Sequence, residues 1–178
     1  MAIFNRLPTL KQIAPVYAIS VVIIYSWTTW WFFWKLPSWL FYMNIGEIIL
    51  VYVYLLAVNF IESLIALCAP LVLSFILPQK WFRDLFVVRG ASLIIVGLGY
   101  AIFLTEQFQY KDAYPSLYLK LWAVALAVGL IALLVFATGK ISAIKKVIEV
   151  IADRAMIFLF IYVPLSIISL LIVLYRLL

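Results

Sequence analysis

Hydrophobic residues form long uninterrupted runs along this chain, and short polar stretches separate them. The runs predict five membrane-spanning helices, at about residues 13–33, 40–77, 88–105, 117–136 and 155–175. A helix needs about 20 apolar residues to cross a hydrocarbon core that is roughly 30 Å thick. Continuous runs exclude the alternating pattern of barrel strands. The predicted fold is therefore all-α, a polytopic helical membrane protein formed by residues 1–178 as a single integral membrane domain.

The second run is the longest, and it exceeds what one ordinary crossing requires. Residues 39–78 carry only two charges, Glu47 and Glu62. At about 1.5 Å per residue, a helix over this run would extend well past the hydrocarbon core. Two structures satisfy the pattern. One is a single overlong tilted helix, and the other is a helix broken near residues 59–63 or at Pro70.

Residues 140–153 have a different pattern, in which apolar residues recur at helical spacing and charged residues fall mostly on the other side. This amphipathic pattern predicts a cytoplasmic helix that lies in the interface plane, separate from the spans on either side. Lys145 and Lys146 would face anionic lipid or a docking partner. The charged pair Asp153 and Arg154 would then mark the break before the last span.

Composition agrees with the membrane class and narrows the chemistry. Hydrophobic residues make up 69% of the chain and charged residues 11%, far from the balance of a soluble domain. The net charge of +6 is explained by basic loops against anionic lipid, so no nucleic-acid partner is expected. Because the chain has no histidine and one cysteine, Cys68, His-ligated metals and disulfides are excluded. We expect no cofactor and no metal site.

Charge counting orients the predicted spans. If the central run crosses once and the N-terminus is cytoplasmic, nine basic residues lie inside: Arg6, Lys11, Lys80, Arg83, Arg89, Lys140, Lys145, Lys146 and Arg154. Four then lie outside: Lys35, Lys111, Lys120 and Arg176. Two crossings would reverse the asymmetry that the positive-inside rule requires. We therefore expect a protein of a bacterial-type plasma membrane, with the N-terminus cytoplasmic and residues 110–116 and the C-terminus outside.

Aromatic residues are densest at the end of the first span, where Trp30, Trp31 and Trp34 surround Lys35. Tryptophan prefers the headgroup level, where its ring is half buried and its N–H stays hydrated. The ordinary interpretation is an interfacial belt facing lipid. The functional alternative is an aromatic platform for a lipid, a pigment or a partner helix.

Three polar residues of the central run are candidates for function. Glu47, Asn59 and Glu62 would share a polar stripe on an unbroken helix, which is the arrangement that a proton or cation path uses. The alternative is that each glutamate reaches an interface or pairs with a neighbouring lysine or arginine.

Enzyme motifs are absent: the chain has no GxSxG, HExxH, CxxC, Walker loop or dinucleotide fingerprint. We predict no catalytic residue. The function that these patterns favour is a small non-catalytic integral membrane subunit or scaffold. Its partners would be the bilayer and other membrane subunits or further copies of itself. The alternative is a small permease or proton/cation-conducting component that uses the acidic central helix.

Overall fold

The computed structural model describes residues 8–109 and 121–177, and every regular element in them is helical. Its five long helices are α1 (Leu10–Trp39), α2 (Ile45–Ile76), α3 (Phe86–Gln109), α4 (Leu121–Thr138) and α5 (Ser142–Leu177). Two 3-10 turns, Gln79–Trp81 and Arg83–Leu85, connect α2 to α3. Helices α1, α2 and α5 and the segment Gln79–Glu106 are long and apolar enough to cross a bilayer, whereas the apolar part of α4 is shorter. The predicted class, a helical membrane protein, is confirmed.

Helix α1 is longer than the predicted span of residues 13–33, because neither Pro15 nor Pro37 ends it. Each proline removes one backbone hydrogen bond, a loss that membrane helices tolerate when neighbouring groups pack against the site. The helix begins after Thr9, whose N–H donates to the side-chain oxygen of Gln12 at 3.1 Å. Its start is therefore set by a cap six residues before the first proline.

The long central run forms one continuous helix, α2, of 32 residues, and not a broken one. At about 1.5 Å per residue it is roughly 48 Å long, well over the thickness of a hydrocarbon core. A reciprocal cap starts it at Ile45, since the Glu47 N–H donates to the Asn44 side chain and the Asn44 N–H donates to Glu47, both at 2.9 Å. Pro70 is buried within the helix and does not interrupt it.

The predicted boundary between an interfacial helix at residues 140–153 and a last span at 155–175 is wrong. Residues Ser142 to Leu177 form one helix of 36 residues, α5. Asp153 and Arg154 are both exposed on its side, and charged side chains in that position do not disturb a helical backbone. With no glycine or proline between residues 142 and 163, nothing in the backbone favours a break. The amphipathic pattern remains within α5, because Ile148 and Ala152 face the bundle and are buried.

Some predictions concern residues outside the described part of the chain. The start of the fourth span at residues 117–120 and the loop at 110–116 lie there, as do Arg6, Lys111 and Lys120 of the charge count. Where α4 is described, it begins at Leu121 and ends at Thr138.

Helix α1 lies at the centre of the bundle and packs against α2, α3 and α5, while α4 packs mainly on α3. Val16 and Ala18 of α1 are fully buried, and the core cluster around them draws residues from every helix. Gly90 of α3 lies against Val16 and Pro70, so the start of α3 meets the start of α1 and the end of α2. Thr138, at the end of α4, hydrogen-bonds to Ser92 near the start of α3 at 3.0 Å.

These contacts bring most of the basic residues to one end of the bundle, which we call the basic end. It comprises the start of α1, the end of α2, the 3-10 turns, the start of α3, the end of α4 and the first turns of α5. The opposite end, which we call the aromatic end, holds the tryptophans of α1 and the cap of α2.

Candidate functional site

The three polar residues predicted as a stripe on α2 do not share one surface. Glu47 is exposed at the first turn, where it completes the helix cap with Asn44. Asn59 is only 1% exposed, and its Nδ2 donates to Thr28 Oγ1 of α1 at 2.6 Å. Glu62 is exposed on the outward side of α2. Neither of the two cavities described below is lined by any of these residues.

The buried positions of α2 explain this separation. They follow helical spacing and include Ile48, Leu56, Asn59, Ser63, Leu67, Pro70 and Ser74. Glu62 directly precedes Ser63, so it projects about 100° away from the buried stripe. Its neighbours on the outward side, Val58 and Ile65, are apolar and exposed. The Glu62 carboxylate is therefore surrounded by exposed apolar side chains and lies close to the middle of α2.

Buried polar side chains hold α1 to its neighbours. Tyr25 Oη and Ser166 Oγ of α5 are 2.6 Å apart, and both side chains are buried. Tyr17 Oη lies 3.2 Å from Ser63 Oγ of α2. Together with the Asn59–Thr28 bond, these pairs place hydrogen bonds along both seams of α1. Hydrogen bonds between membrane helices contribute about 0.6 kcal/mol each on average and up to roughly 1.7 kcal/mol.

The α1 members of these pairs are hard to recognise in the sequence, because tyrosine and threonine are ordinary members of an apolar span. Tyr17, Tyr25 and Thr28 recur at intervals of eight and three residues, so they lie on one face of a helix. That spacing is the sequence signal for a polar seam on α1.

At the aromatic end, some rings of α1 point outward and others pack inward against the bundle. Trp30 and Trp34 are 68% and 53% exposed. Trp31 is half-buried and stacks on Trp34, with ring centroids 5.6 Å apart, and Lys35 Nζ lies 6.0 Å from the Trp31 ring. The neighbouring Phe32 instead points inward against Tyr52 of α2. The outward tryptophans are thus available to lipid headgroups or to a partner.

At the basic end, Arg89 joins three segments. Its guanidinium donates to the carbonyl oxygen of Trp81 in the first 3-10 turn and lies 5.4 Å from the Phe136 ring of α4. Gly139 leaves room for it, since a Cβ added there would come within 3.1 Å of Arg89 Nε. Lys145 forms an exposed ion pair with Glu149 at 4.0 Å, and Lys146 is exposed.

Two cavities meet at the end of α2. The larger, of about 520 Å³, is an entirely apolar groove between α2, α3 and α4. The smaller, of about 330 Å³, surrounds the last turn of α2 and includes Ser74, Gln79 and Arg83. Leu77 lines both. An apolar space therefore adjoins a polar one that carries a cation.

Within residues 8–109 and 121–177, no group of three His, Cys, Asp or Glu residues is arranged to hold a metal ion. Cys68 is exposed on α2 and has a free thiol.

Comparison of the chain with protein-family models, with curated proteins and with solved structures found no match.

Proposed function

We propose that this protein is a non-catalytic integral membrane subunit that binds a partner helix along the outward face of α2. The observation that carries the proposal is the exposed carboxylate of Glu62. It lies about 26 Å from the start of α2 and about 21 Å from its end, at 1.5 Å per residue. A hydrocarbon core of roughly 30 Å centred on this helix would therefore place Glu62 near mid-depth.

An ionisable side chain at that depth costs a few kcal/mol when it faces lipid, so such residues normally face protein or a hydrated cavity. In the described part of the chain, Glu62 has neither an ion-pair partner nor a hydrogen-bond partner. A donor on another helix, such as a lysine, an arginine or an amide, would remove this cost. The exposed apolar residues around Glu62 would pack against the same partner.

The interior of the bundle also supports a subunit over a permease. A proton or cation path needs several polar groups facing one hydrated cavity. Asn59 is instead engaged with Thr28 inside the bundle, and Glu47 is engaged in a helix cap at the aromatic end. The larger cavity has only apolar residues in its wall. No observation favours the permease specifically.

The basic end supports an orientation in which it faces the cytoplasm of a bacterial-type cell. Lys80, Arg83, Arg89, Lys140, Lys145, Lys146 and Arg154 all lie at this end. Positive charge flanking spans favours the cytoplasmic side. In this orientation the N-terminus of α1 is inside and the C-terminus of α5 is outside, as the charge count predicts.

Photo-crosslinking tests the partner surface. A crosslinker in place of Ile65 lies one turn from Glu62 on the outward face, and one in place of Leu171 on α5 is a matched control, because both side chains are well exposed. We expect a discrete product from the first site in native membranes and none from the second. A product of twice 20.5 kDa identifies a second copy of the chain, and any other mass identifies a different partner.

The glutamate itself is tested by Glu62→Leu. This change removes the carboxylate and makes the helix more compatible with lipid, so the bundle stays inserted. We expect the crosslink from position 65 to fall by roughly three- to seventeenfold, the range for a lost interhelical hydrogen bond. Glu47→Gln should leave it unchanged. An undiminished crosslink in Glu62→Leu, or none in the wild-type chain, would count against the proposal.

A further inference from the structure

The apolar groove between α2, α3 and α4 has the shape of a chain-binding site. Along α2 its wall extends from Ala66 to Leu77, which is about 16 Å of helix at 1.5 Å per residue. Gly97 of α3 and Ala132 of α4 keep it open, and a Cβ added at Gly97 would meet nothing within 4 Å. A volume of about 520 Å³ lies within the range of small-molecule sites.

The lining of the groove favours an acyl chain over a partner helix. Interhelical hydrogen bonds help to hold a partner helix in a membrane, and the wall offers no polar side chain for one. An acyl chain, by contrast, is narrow and flexible, and it matches a wall that contains no polar residue. The groove is also partly open on its side, so a lipid enters it directly from the bilayer.

The adjoining polar pocket supplies positive charge for the phosphate of a lipid headgroup. Arg83 lines it and is half-buried, and in the described residues it forms no ion pair. Lys80 lies three residues away in the same connector and is exposed. The one nearby acid in this connector is Asp84. A phosphate at this position would meet more positive than negative charge.

The last turn of α2 adds hydrogen-bond acceptors to the pocket. Pro78 has no N–H, so the Ser74 carbonyl cannot receive the usual helical bond. The carbonyls of Phe75 and Ile76 also accept no hydrogen bond from the described residues. Free carbonyl oxygens at a helix end attract donors and cations rather than anions. A headgroup suited to this pocket therefore carries a donor in addition to its phosphate.

We infer that the groove and the polar pocket together bind one glycerophospholipid with a donor-bearing headgroup. An acyl chain lies along the groove, the phosphate pairs with Arg83, and the glycerol hydroxyls or ammonium of the headgroup donate to the carbonyls that end α2. Leu77, which lines both cavities, marks the junction between chain and headgroup. Glu62 lies on the same side of α2 as this wall, one turn before Ala66, but it does not line the groove.

Native mass spectrometry tests the site with two lipids that share their acyl chains. Delipidated protein in detergent is incubated with equal amounts of dioleoylphosphatidylethanolamine, whose ammonium has N–H donors, and dioleoylphosphatidylcholine, whose headgroup has none and whose net charge is the same. We expect the first lipid to be retained about tenfold more than the second. Arg83→Gln should lower the retention of both lipids about tenfold and leave their ratio unchanged, because the charge-assisted hydrogen bond to the phosphate that they share is lost.

Filling the groove tests the acyl chain separately. Gly97→Phe should lower retention of both lipids, while Gly99→Phe is a matched control because Gly99 also has open space around it but does not line the groove. Arg176→Gln, at the far end of α5, is the control for charge. Circular dichroism shows whether Gly97→Phe stays helical, and Ala132→Phe fills the groove from α4 if it does not. Equal retention of both lipids by the wild-type chain, or equal losses in the control variants, would overturn the inference.

Discussion

The two sides of this bundle are built differently. On one side, α1 packs against α2 and α5 through a seam that contains fully buried small and polar side chains, among them Ala18, Ser63 and Ser166. On the other side, α4 packs mainly against α3, and of its residues 124–138 only Val135 is buried. A large apolar cavity separates α4 from α2. The loosely packed helix α4 is nevertheless more hydrophobic in sequence than α1, α2 or α5.

The difference shows what holds helices together in lipid. Lipid tails are as apolar as leucine, so burying an apolar face against another helix gains little over leaving it in the bilayer. The interactions that hold helices together in lipid are therefore close packing and interhelical hydrogen bonds. The α1 seams have both, with Tyr25 against Ser166 and Asn59 against Thr28. The α4 side has one interhelical hydrogen bond in the described residues, between Ser92 and Thr138 at the basic end.

The largest expected effect comes from widening the crossing of α1, α2 and α3. A Cβ at Gly90 would lie 3.3 Å from both methyl groups of Val16 and 3.5 Å from Pro70 Cβ. Gly90→Leu should therefore destabilise the bundle by about 2–3 kcal/mol through overpacking. Gly129→Leu on α4 meets open space and should change stability by less than about 0.5 kcal/mol. Unfolding in detergent, followed by circular dichroism, compares the two. Similar losses in both variants would mean that the two sides are equally tight.

A smaller effect is expected from removing one hydroxyl in the tight seam. Tyr25→Phe leaves the ring against Tyr162 but strands the buried Ser166 hydroxyl, so it should cost about 1 kcal/mol. Tyr175→Phe is the control, because Tyr175 is 86% exposed and its hydroxyl has no partner among the described residues. The same unfolding measurement applies. If Tyr25→Phe were neutral, close packing alone would account for the seam.

The smallest expected effect is local to the loose side. Phe136→Leu removes the ring beneath the Arg89 guanidinium and its edge contact with Trp81, a loss of about 0.5–1 kcal/mol. Because α4 has few other attachments, this change should increase hydrogen exchange in residues 124–138 and leave α1 and α5 unchanged. A rise spread over all five helices would show that α4 is coupled to the tight seam after all.

The class of fold follows from the sequence because it depends on length and hydrophobicity alone. Continuous apolar runs of about 20 residues have no alternative to membrane helices, and the described helices lie over the predicted spans. The helix ends were less predictable. Pro15 and Pro37 both lie inside α1. A proline removes one backbone hydrogen bond from a helix, and packing against neighbouring helices compensates for that loss.

The sequence therefore determined that this chain enters a membrane as helices, and that Glu62 is an unusual residue within one of them. Only the tertiary structure decided which way each polar residue points. Asn59 and Glu62 are three positions apart, and periodicity allows both to line one stripe, yet the seam with α1 contains the first and excludes the second. The small residues of α4 likewise favour tight packing in sequence, but Gly129 and Ala132 remain exposed. Which face of a helix is buried depends on the neighbouring helix that packs against it at that depth in the bundle. Those neighbours come from distant parts of the chain, so the sequence of one helix does not specify them.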